Sequence, residues 1–109
     1  MPEAASVTPQ KWEDITILYD DGEYSAIWGT FHNVDEDERR LGVRWNRGKD
    51  NDLGYPNYAG NPVWYCELPS LEEPILFALL ANLVSSTTIK NREEYIDNIA
   101  KVLRERGES

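Results

Sequence analysis

The histidine and the acidic side chains are the groups of this 109-residue chain that could carry acid–base chemistry. His32 is the one histidine, and the acidic run Asp35, Glu36, Asp37 and Glu38 follows it closely. General acid–base catalysis also needs an orienting partner and a pocket, and the sequence identifies neither. An enzyme that uses His32 and carboxylates is therefore the third functional hypothesis, and the sequence favours a chain without catalytic activity.

Motifs for metal ions, cofactors and nucleophiles are missing from the sequence. One Cys and one His exclude both a disulfide framework and a zinc site built from Cys and His ligands. Residues 50–54 resemble the start of a calcium loop, but the Gly and Glu that such a loop needs fall on Tyr55 and Asn61. We therefore expect no cofactor and no metal ion, and we expect Cys66 to be a small buried hydrophobe.

The charge balance narrows the class of partner. Eleven Lys and Arg residues against twenty Asp and Glu residues leave a net charge of -9, which disfavours binding to nucleic acid or anionic lipid. The sequence also lacks an apolar run of membrane-spanning length and a signal peptide at its start, so we predict a cytoplasmic protein that does not contact a membrane. An acidic surface of this kind predicts a protein partner with a basic surface.

Positive charge is concentrated in one segment. Five of the eleven basic residues lie within residues 39–49, and Arg40 and Arg44 are spaced to share one face of a strand. Two adjacent guanidinium groups could grip a phosphate or carboxylate, or they could pair with acids of the neighbouring hairpin. The first interpretation gives the alternative functional hypothesis, a small-molecule binding module with a pocket formed by the tyrosines of residues 46–62 and by Trp28, Trp45 and Trp64. Its predicted ligand-binding residues are Arg40, Arg44 and Trp64.

A long segment rich in turn-forming residues supports the first functional hypothesis. Residues 46–62 contain eleven Gly, Pro, Asn or Asp residues among seventeen, and they also carry aromatic side chains. Rigid aromatics beside adaptable polar groups are typical of recognition surfaces, although such side chains could instead cover an open sheet edge. We predict a small acidic, non-catalytic interaction domain of the inhibitor, antidote or adaptor type. The predicted partner-binding residues are Arg47, Tyr55, Asn57 and Tyr58 of this segment, together with Asp35, Glu36, Asp37 and Glu38.

Period-two patterns predict the strands that position these residues. Apolar residues alternate on both sides of Asp21 and Gly22, which favours a hairpin with a two-residue turn that pairs Ile17 with Ala26 and Ile15 with Trp28. A third strand follows, with Leu41, Val43 and Trp45 on one face, and residues 63–68 form a fourth. No regular element is predicted within residues 46–62. The face with Ile15, Ile17, Trp28, Val43 and Trp45 is the predicted core.

The last third of the sequence is helical. The ten residues from Ile75 to Val84 are apolar except for Asn82, and we predict that this helix opens at Pro74 and contributes to a homodimer. Asn91 is the predicted cap of a final amphipathic helix, whose apolar stripe is Tyr95, Ile96, Ile99, Val102 and Leu103. The prediction is an α+β fold, with a four-stranded, mainly antiparallel meander followed by two helices on one face. A partly closed barrel is the second possibility. Residues 1–10 are predicted to form an N-terminal arm before a single domain of residues 11–109.

Overall fold

A computed structural model describes residues 12–32, 36–46, 56–58, 61–62 and 64–108 of the chain, with the backbone alone described for residues 57, 58, 61, 62 and 108. The strands are β1 (Trp12–Asp20), β2 (Tyr24–His32), β3 (Asp37–Trp45), β4 (Asn57–Tyr58), β5 (Asn61–Pro62) and β6 (Tyr65–Cys66), and the helices are α1 (Pro69–Ser85) and α2 (Arg92–Glu108). The predicted N-terminal arm lies outside the described residues.

The predicted α+β meander is confirmed. Strands β1, β2, β3 and β6 form one antiparallel sheet in that order, and the sheet does not close into a barrel. The fourth strand is shorter than predicted: β6 spans two residues, which lie within the predicted range 63–68. The prediction that residues 46–62 contain no regular element is wrong, since β4 and β5 pair there as a small separate hairpin.

The predicted register of the first hairpin is wrong. Tyr19 pairs with Ala26, whereas the two-residue turn would have paired Ile17 with Ala26. The turn lies one residue later than predicted: the Asp21 N–H donates to the Tyr24 carbonyl at 3.2 Å, and the Asp21 carboxylate accepts from the backbone N–H groups of Glu23 (2.9 Å) and Tyr24 (2.8 Å). An Asp side chain that accepts from the backbone in this way stabilises a turn over the residues that follow it.

Two irregularities in β1 change which residues enter the core. The β1–β2 register shifts between Glu13 and Thr16 and again between Ile17 and Tyr19. Because an extra residue in one strand reverses the facing of the residues after it, Leu18 is fully buried on the side of the helices. Ile15 packs on the opposite side, so its predicted place under the helices is wrong.

Each face of the sheet carries a core. On the helix side, Trp28 and Leu41 pack in one cluster with residues of α1 and α2, including Leu83 and Ile99. On the other side, Trp12, Ile27 and Trp64 form a smaller buried cluster. Gly42 lies beneath that second cluster, and a Cβ there would lie 3.0 Å from the side chains of Ile27 and Trp12, so a larger residue would require these side chains to shift. The two tryptophans thus cover the face of the sheet that the helices do not.

The two helices differ in how well their start is predicted. Helix α1 begins at Pro69 and contains Pro74 in its interior, so the predicted start at Pro74 is wrong. Proline is well tolerated in the first helical turn, which suits Pro69. Helix α2 begins at Arg92, directly after the predicted cap Asn91, and it buries Tyr95, Ile99 and Val102 of the predicted stripe. In the part of the chain that the structure describes, neither helix has the length and apolar character that crossing a membrane requires.

Ion pairs join the sheet to the helices at the end where β2 meets β3; we call this region, which comprises His32, Arg39, Arg40, Glu72, Glu105 and Arg106, the ionic end. The buried Glu72 carboxylate of α1 accepts hydrogen bonds from Arg40 Nε (3.1 Å), Arg106 Nε (3.3 Å) and the backbone N–H of Leu41 (3.0 Å). Arg39 Nε lies 3.1 Å from Glu105 Oε2. A single buried carboxylate thus connects β3, α1 and α2.

Candidate functional site

An apolar groove lies at the opposite end of the sheet, on the helix side. The register places Tyr24 opposite Trp45 and Val43 opposite Tyr65, so these side chains share one face. The groove has a volume of about 460 Å³, and Leu79 of α1 lines it from the helical layer. We call it the aromatic groove, and its lining residues are Tyr19, Tyr24, Ser25, Ala26, Val43, Arg44, Trp45, Pro56, Tyr65 and Leu79.

Three rings of the aromatic groove remain open to solvent. Tyr24 is 45% exposed, Trp45 is 56% exposed and Tyr65 is 49% exposed. The rings of Tyr24 and Trp45 meet edge to face, with centroids 5.7 Å apart and planes 81° apart. Because Ala26 and Trp28 on the same face are buried, the sheet extends past its helical cover at this end. The prediction that Trp45 belongs to the core is therefore wrong.

The cationic residue of the groove lies behind its surface. Arg44 is 2% exposed, and its guanidinium carbon lies 6.0 Å from the ring centroid of Trp64. Its Nη1 also lies 3.5 Å from the Pro56 carbonyl oxygen, to which it donates. Burial lowers the pKa of Arg44. Since the accessible surface of the groove is almost wholly apolar, the groove suits an apolar group better than an ion.

Hydrogen bonds hold the turn that borders the groove. Asn46 is buried, and its side-chain amide donates to Asp20 Oδ1 (3.0 Å) and accepts from the Ser25 hydroxyl (2.6 Å). The Tyr19 hydroxyl donates to Asp21 Oδ2 at 2.8 Å, and burial together with this contact raises the pKa of Tyr19 to about 12. The acidic turn is thereby kept in one position beside the exposed ring of Tyr24.

A second, polar groove adjoins this turn. It has a volume of about 780 Å³ and lies between the β1–β2 turn and the connection from α1 to α2. Tyr19 lines both grooves. We call it the polar groove, and its lining residues are Tyr19, Asp20, Asp21, Gly22, Glu23, Asn82, Ser86, Thr88, Ile89, Lys90, Asn91 and Tyr95.

The predicted ligand-binding residues do not form one site. Arg40 is bound within the ionic end by Glu72 and by Glu38 Oε2, which lies 3.0 Å from Arg40 Nη1. Arg40 also donates to the Glu67 carbonyl. Arg44 lines the aromatic groove and its guanidinium faces the ring of Trp64 in the smaller core, so these two predicted residues meet while Arg40 lies elsewhere. The acids that pair with Arg40 therefore come from its own strand and from α1, and not from the neighbouring hairpin.

Three of the four acidic-run residues lie in the described part of the chain. Glu36 is exposed, Glu38 pairs with Arg40, and Asp37 Oδ1 lies 2.8 Å from His32 Nδ1. The Asp37 carboxylate raises the pKa of His32. His32 Nε2 lies 3.2 Å from Glu13 Oε1 without the alignment of a hydrogen bond. Two of the three acids therefore contact cationic or titratable partners within the chain.

The remaining predicted partner-binding residues are not tested by the structure. Asp35, Arg47 and Tyr55 lie outside the described residues, and for Asn57 and Tyr58 only the backbone is described, in β4. Pro56, between Tyr55 and Asn57, lines the aromatic groove. The sequence pattern thus directs attention to a segment that borders the groove but misses the groove's own rings.

The predicted tryptophan pocket is distributed over three environments. Trp28 is buried under the helices, where its Nε1 donates to Glu105 Oε2 at 2.8 Å. Trp64 lies in the core on the opposite face, and Trp45 lines the aromatic groove. Of these three, Trp45 alone combines exposure with a place in a concave surface. Its sequence signal is its position as the last inward residue of β3, but nothing in the pattern shows that the helices stop short of it.

The apolar helix predicted to form a homodimer is partly used inside the chain. Leu76 and Leu83 of α1 are fully buried, and Ile75 packs partly against the same core. Phe77 and Val84 are exposed on α1. The homodimer stays a prediction, and these two side chains are the large apolar groups of residues 75–84 that are open to a neighbour.

The described residues contain no group of three or more His, Cys, Asp or Glu side chains arranged to hold a metal ion. Burial raises the pKa of the Cys66 thiol, which works against nucleophilic chemistry at that position. Comparison of the chain with protein-family models, with curated proteins and with solved structures finds no match.

Proposed function

We propose that this chain is a non-catalytic interaction domain whose aromatic groove receives an apolar side chain of a protein partner with a basic surface. The observation that carries the proposal is the half-exposed triad of Tyr24, Trp45 and Tyr65 around an apolar groove. Large rings that stay exposed in concave surroundings are typical of interface anchors, because they offer contact area at a low cost in conformational entropy.

The charge distribution supports a basic partner. Ion pairs inside the chain occupy Arg39, Arg40 and Arg106, and Arg44 is buried. Arg92 donates to carbonyl groups at the end of α1. These basic side chains are held in internal contacts, whereas Asp21 and Glu23 are exposed beside the aromatic groove. A negative surface speeds encounter with a positive one, and the apolar contact then slows dissociation.

A small apolar or aromatic molecule is the second candidate ligand. The groove volume of about 460 Å³ lies within the range of ~300 to 1,000 Å³ that is common for small-molecule sites. The buried guanidinium of Arg44 behind the groove surface also suits a neutral ring better than a cation. A thermal-shift assay with a panel of neutral aromatic and aliphatic compounds separates the candidates, since a bound ligand raises the melting temperature of the protein.

Selection from a displayed library of random peptides tests the first candidate directly. The wild-type chain is the bait, and Trp45→Ala is the bait for counter-selection. We expect the selected peptides to share an aromatic or aliphatic residue and an excess of Lys and Arg. Their affinity should fall about 10- to 30-fold with Trp45→Ala, which is the scale of an interface anchor.

Phe77→Ala is the matched control for this experiment. Phe77 is 52% exposed on α1 and does not line the aromatic groove, so its loss should leave peptide affinity within about twofold of wild type. Circular dichroism of all three proteins establishes that the variants are folded. Selected peptides that bind wild type and Trp45→Ala equally would refute the groove as the docking site.

A further inference from the structure

The two grooves lie next to each other around the β1–β2 turn. Tyr19 lines both, and Tyr24, which lines the aromatic groove, directly follows Glu23, which lines the polar groove. The Tyr19 hydroxyl and Asp21 are joined by a 2.8 Å hydrogen bond between the two spaces. A bound segment that places one side chain in the aromatic groove therefore brings its neighbouring side chains toward the polar groove.

The polar groove has the opposite character to its neighbour. Among its described lining residues, Asp20, Asp21 and Glu23 are acidic and Lys90 is basic. The two Asp carboxylates are held in place by the turn: Asp20 Oδ1 accepts from the Gly22 N–H at 3.0 Å, and Asp21 Oδ1 accepts from two backbone N–H groups. Carboxylates that are already oriented lose little conformational entropy when a cation approaches.

We infer that the partner's docking segment carries a Lys or Arg close to its apolar anchor, and that this cation enters the polar groove while the anchor occupies the aromatic groove. This inference rests on the proposed function and adds to it the chemistry of the ligand. The aromatic groove supplies most of the affinity, because its rings are desolvated on binding. The polar groove sets the orientation of the bound segment, because a cation at the wrong end of the segment would lie away from the carboxylates.

Charge complementarity also distinguishes this occupant from others. A segment with an acidic residue next to its anchor would meet Asp20, Asp21 and Glu23, and a second copy of this chain would bring a net charge of -9 toward the same carboxylates. Both are disfavoured by like-charge repulsion. A neutral apolar segment would contact the aromatic groove alone and would form no ion pair in the polar groove.

A double-mutant cycle with labelled peptides tests the inference. Three synthetic peptides share one aromatic anchor and differ beside it by two Lys, two Gln or two Glu residues, and fluorescence anisotropy reports their affinity. We expect the Lys peptide to bind wild type about 2- to 5-fold more tightly than the Gln peptide, and the Glu peptide to bind most weakly, as partly exposed charge pairs allow. Glu23→Gln should reduce the preference for Lys over Gln, since it removes one of the three carboxylates, and Lys90→Gln should enlarge it.

Glu36→Gln is the matched control, since Glu36 is an exposed acid outside both grooves and the variant has the same net charge as Glu23→Gln. If Glu36→Gln weakens the Lys preference as much as Glu23→Gln does, the effect belongs to overall charge and the inference is overturned. Equal binding of all three peptides, with a loss on Trp45→Ala, would overturn the inference and leave the proposed function standing. Failure of every peptide to bind, while Trp45-dependent binding of neutral small molecules persists, would overturn the proposed function itself.

Discussion

The two ends of the sheet differ in which side chains are buried and which are exposed. At the ionic end, charged groups are buried: Glu72 is held by Arg40, by Arg106 and by a backbone N–H group. At the aromatic groove, rings are exposed, with Trp45 and Tyr24 about half open to solvent. Charged groups thus occupy buried positions at the ionic end, and aromatic rings occupy exposed positions at the aromatic groove.

The ionic end therefore contributes mainly to the stability of the fold, whereas the aromatic groove contributes mainly exposed apolar surface. A buried carboxylate with all its partners is costly to disturb, because removal leaves its partners unsatisfied in a region of low dielectric. An exposed ring contributes less to folding, so the chain retains apolar area there that a ligand could cover. Substitutions at the two ends should therefore affect different measurements.

Substitution of Glu72 gives the largest expected effect. Glu72→Ala leaves two arginines and the Leu41 N–H without their shared acceptor, and we expect a loss of about 3 to 5 kcal/mol in the free energy of unfolding. Urea denaturation followed by circular dichroism measures it. Trp45→Ala is the comparison at the other end, and it should cost no more than about 1 kcal/mol. A larger loss for Trp45→Ala than for Glu72→Ala would contradict this division of roles.

Asn46 is the buried polar residue that qualifies the comparison, because it lies beside the aromatic groove. Asn46→Ala removes its hydrogen bonds to Asp20 and to the buried Ser25 hydroxyl, and we expect a loss of about 1 to 3 kcal/mol in the free energy of unfolding. Thr87→Ala, at an exposed position between the helices, should stay within about 0.5 kcal/mol of wild type. Equal denaturation midpoints for Asn46→Ala and Thr87→Ala would show that this network does not hold the turn.

His32 gives the smallest effect, and that effect depends on pH. The Asp37 carboxylate raises the pKa of His32 in the folded chain, so the contact stabilises the fold fully below the unfolded value of about 6.5. That contribution is lost as the pH rises through the raised pKa. We expect the stability difference between wild type and His32→Gln to shrink over this interval in urea titrations. A difference that grows with pH would show that neutral His32 is the form favoured by folding.

Local patterns predict the elements of this fold well where one residue type decides the outcome. Alternation identified β2 and β3, and the stripe of Tyr95, Ile99 and Val102 identified the buried face of α2. The register of β1 was not predictable in the same way. The register depends on which backbone N–H groups donate hydrogen bonds to the Asp21 carboxylate and on two irregularities in β1. The alternation of apolar residues carries no information on either feature.

Composition and periodicity are properties of the chain alone, so the acidic character, the supply of aromatic residues and the order of the four sheet strands and two helices could be predicted without coordinates. The exposure of each aromatic ring and the pairing of each charge follow instead from how the helices pack on the sheet. Trp45 and Trp28 occupy equivalent inward positions on neighbouring strands, yet one lines an open groove and the other is buried beneath the helices. The physical reason is that exposure depends on where the helical layer ends over the sheet, and contacts between residues far apart in the chain set that limit.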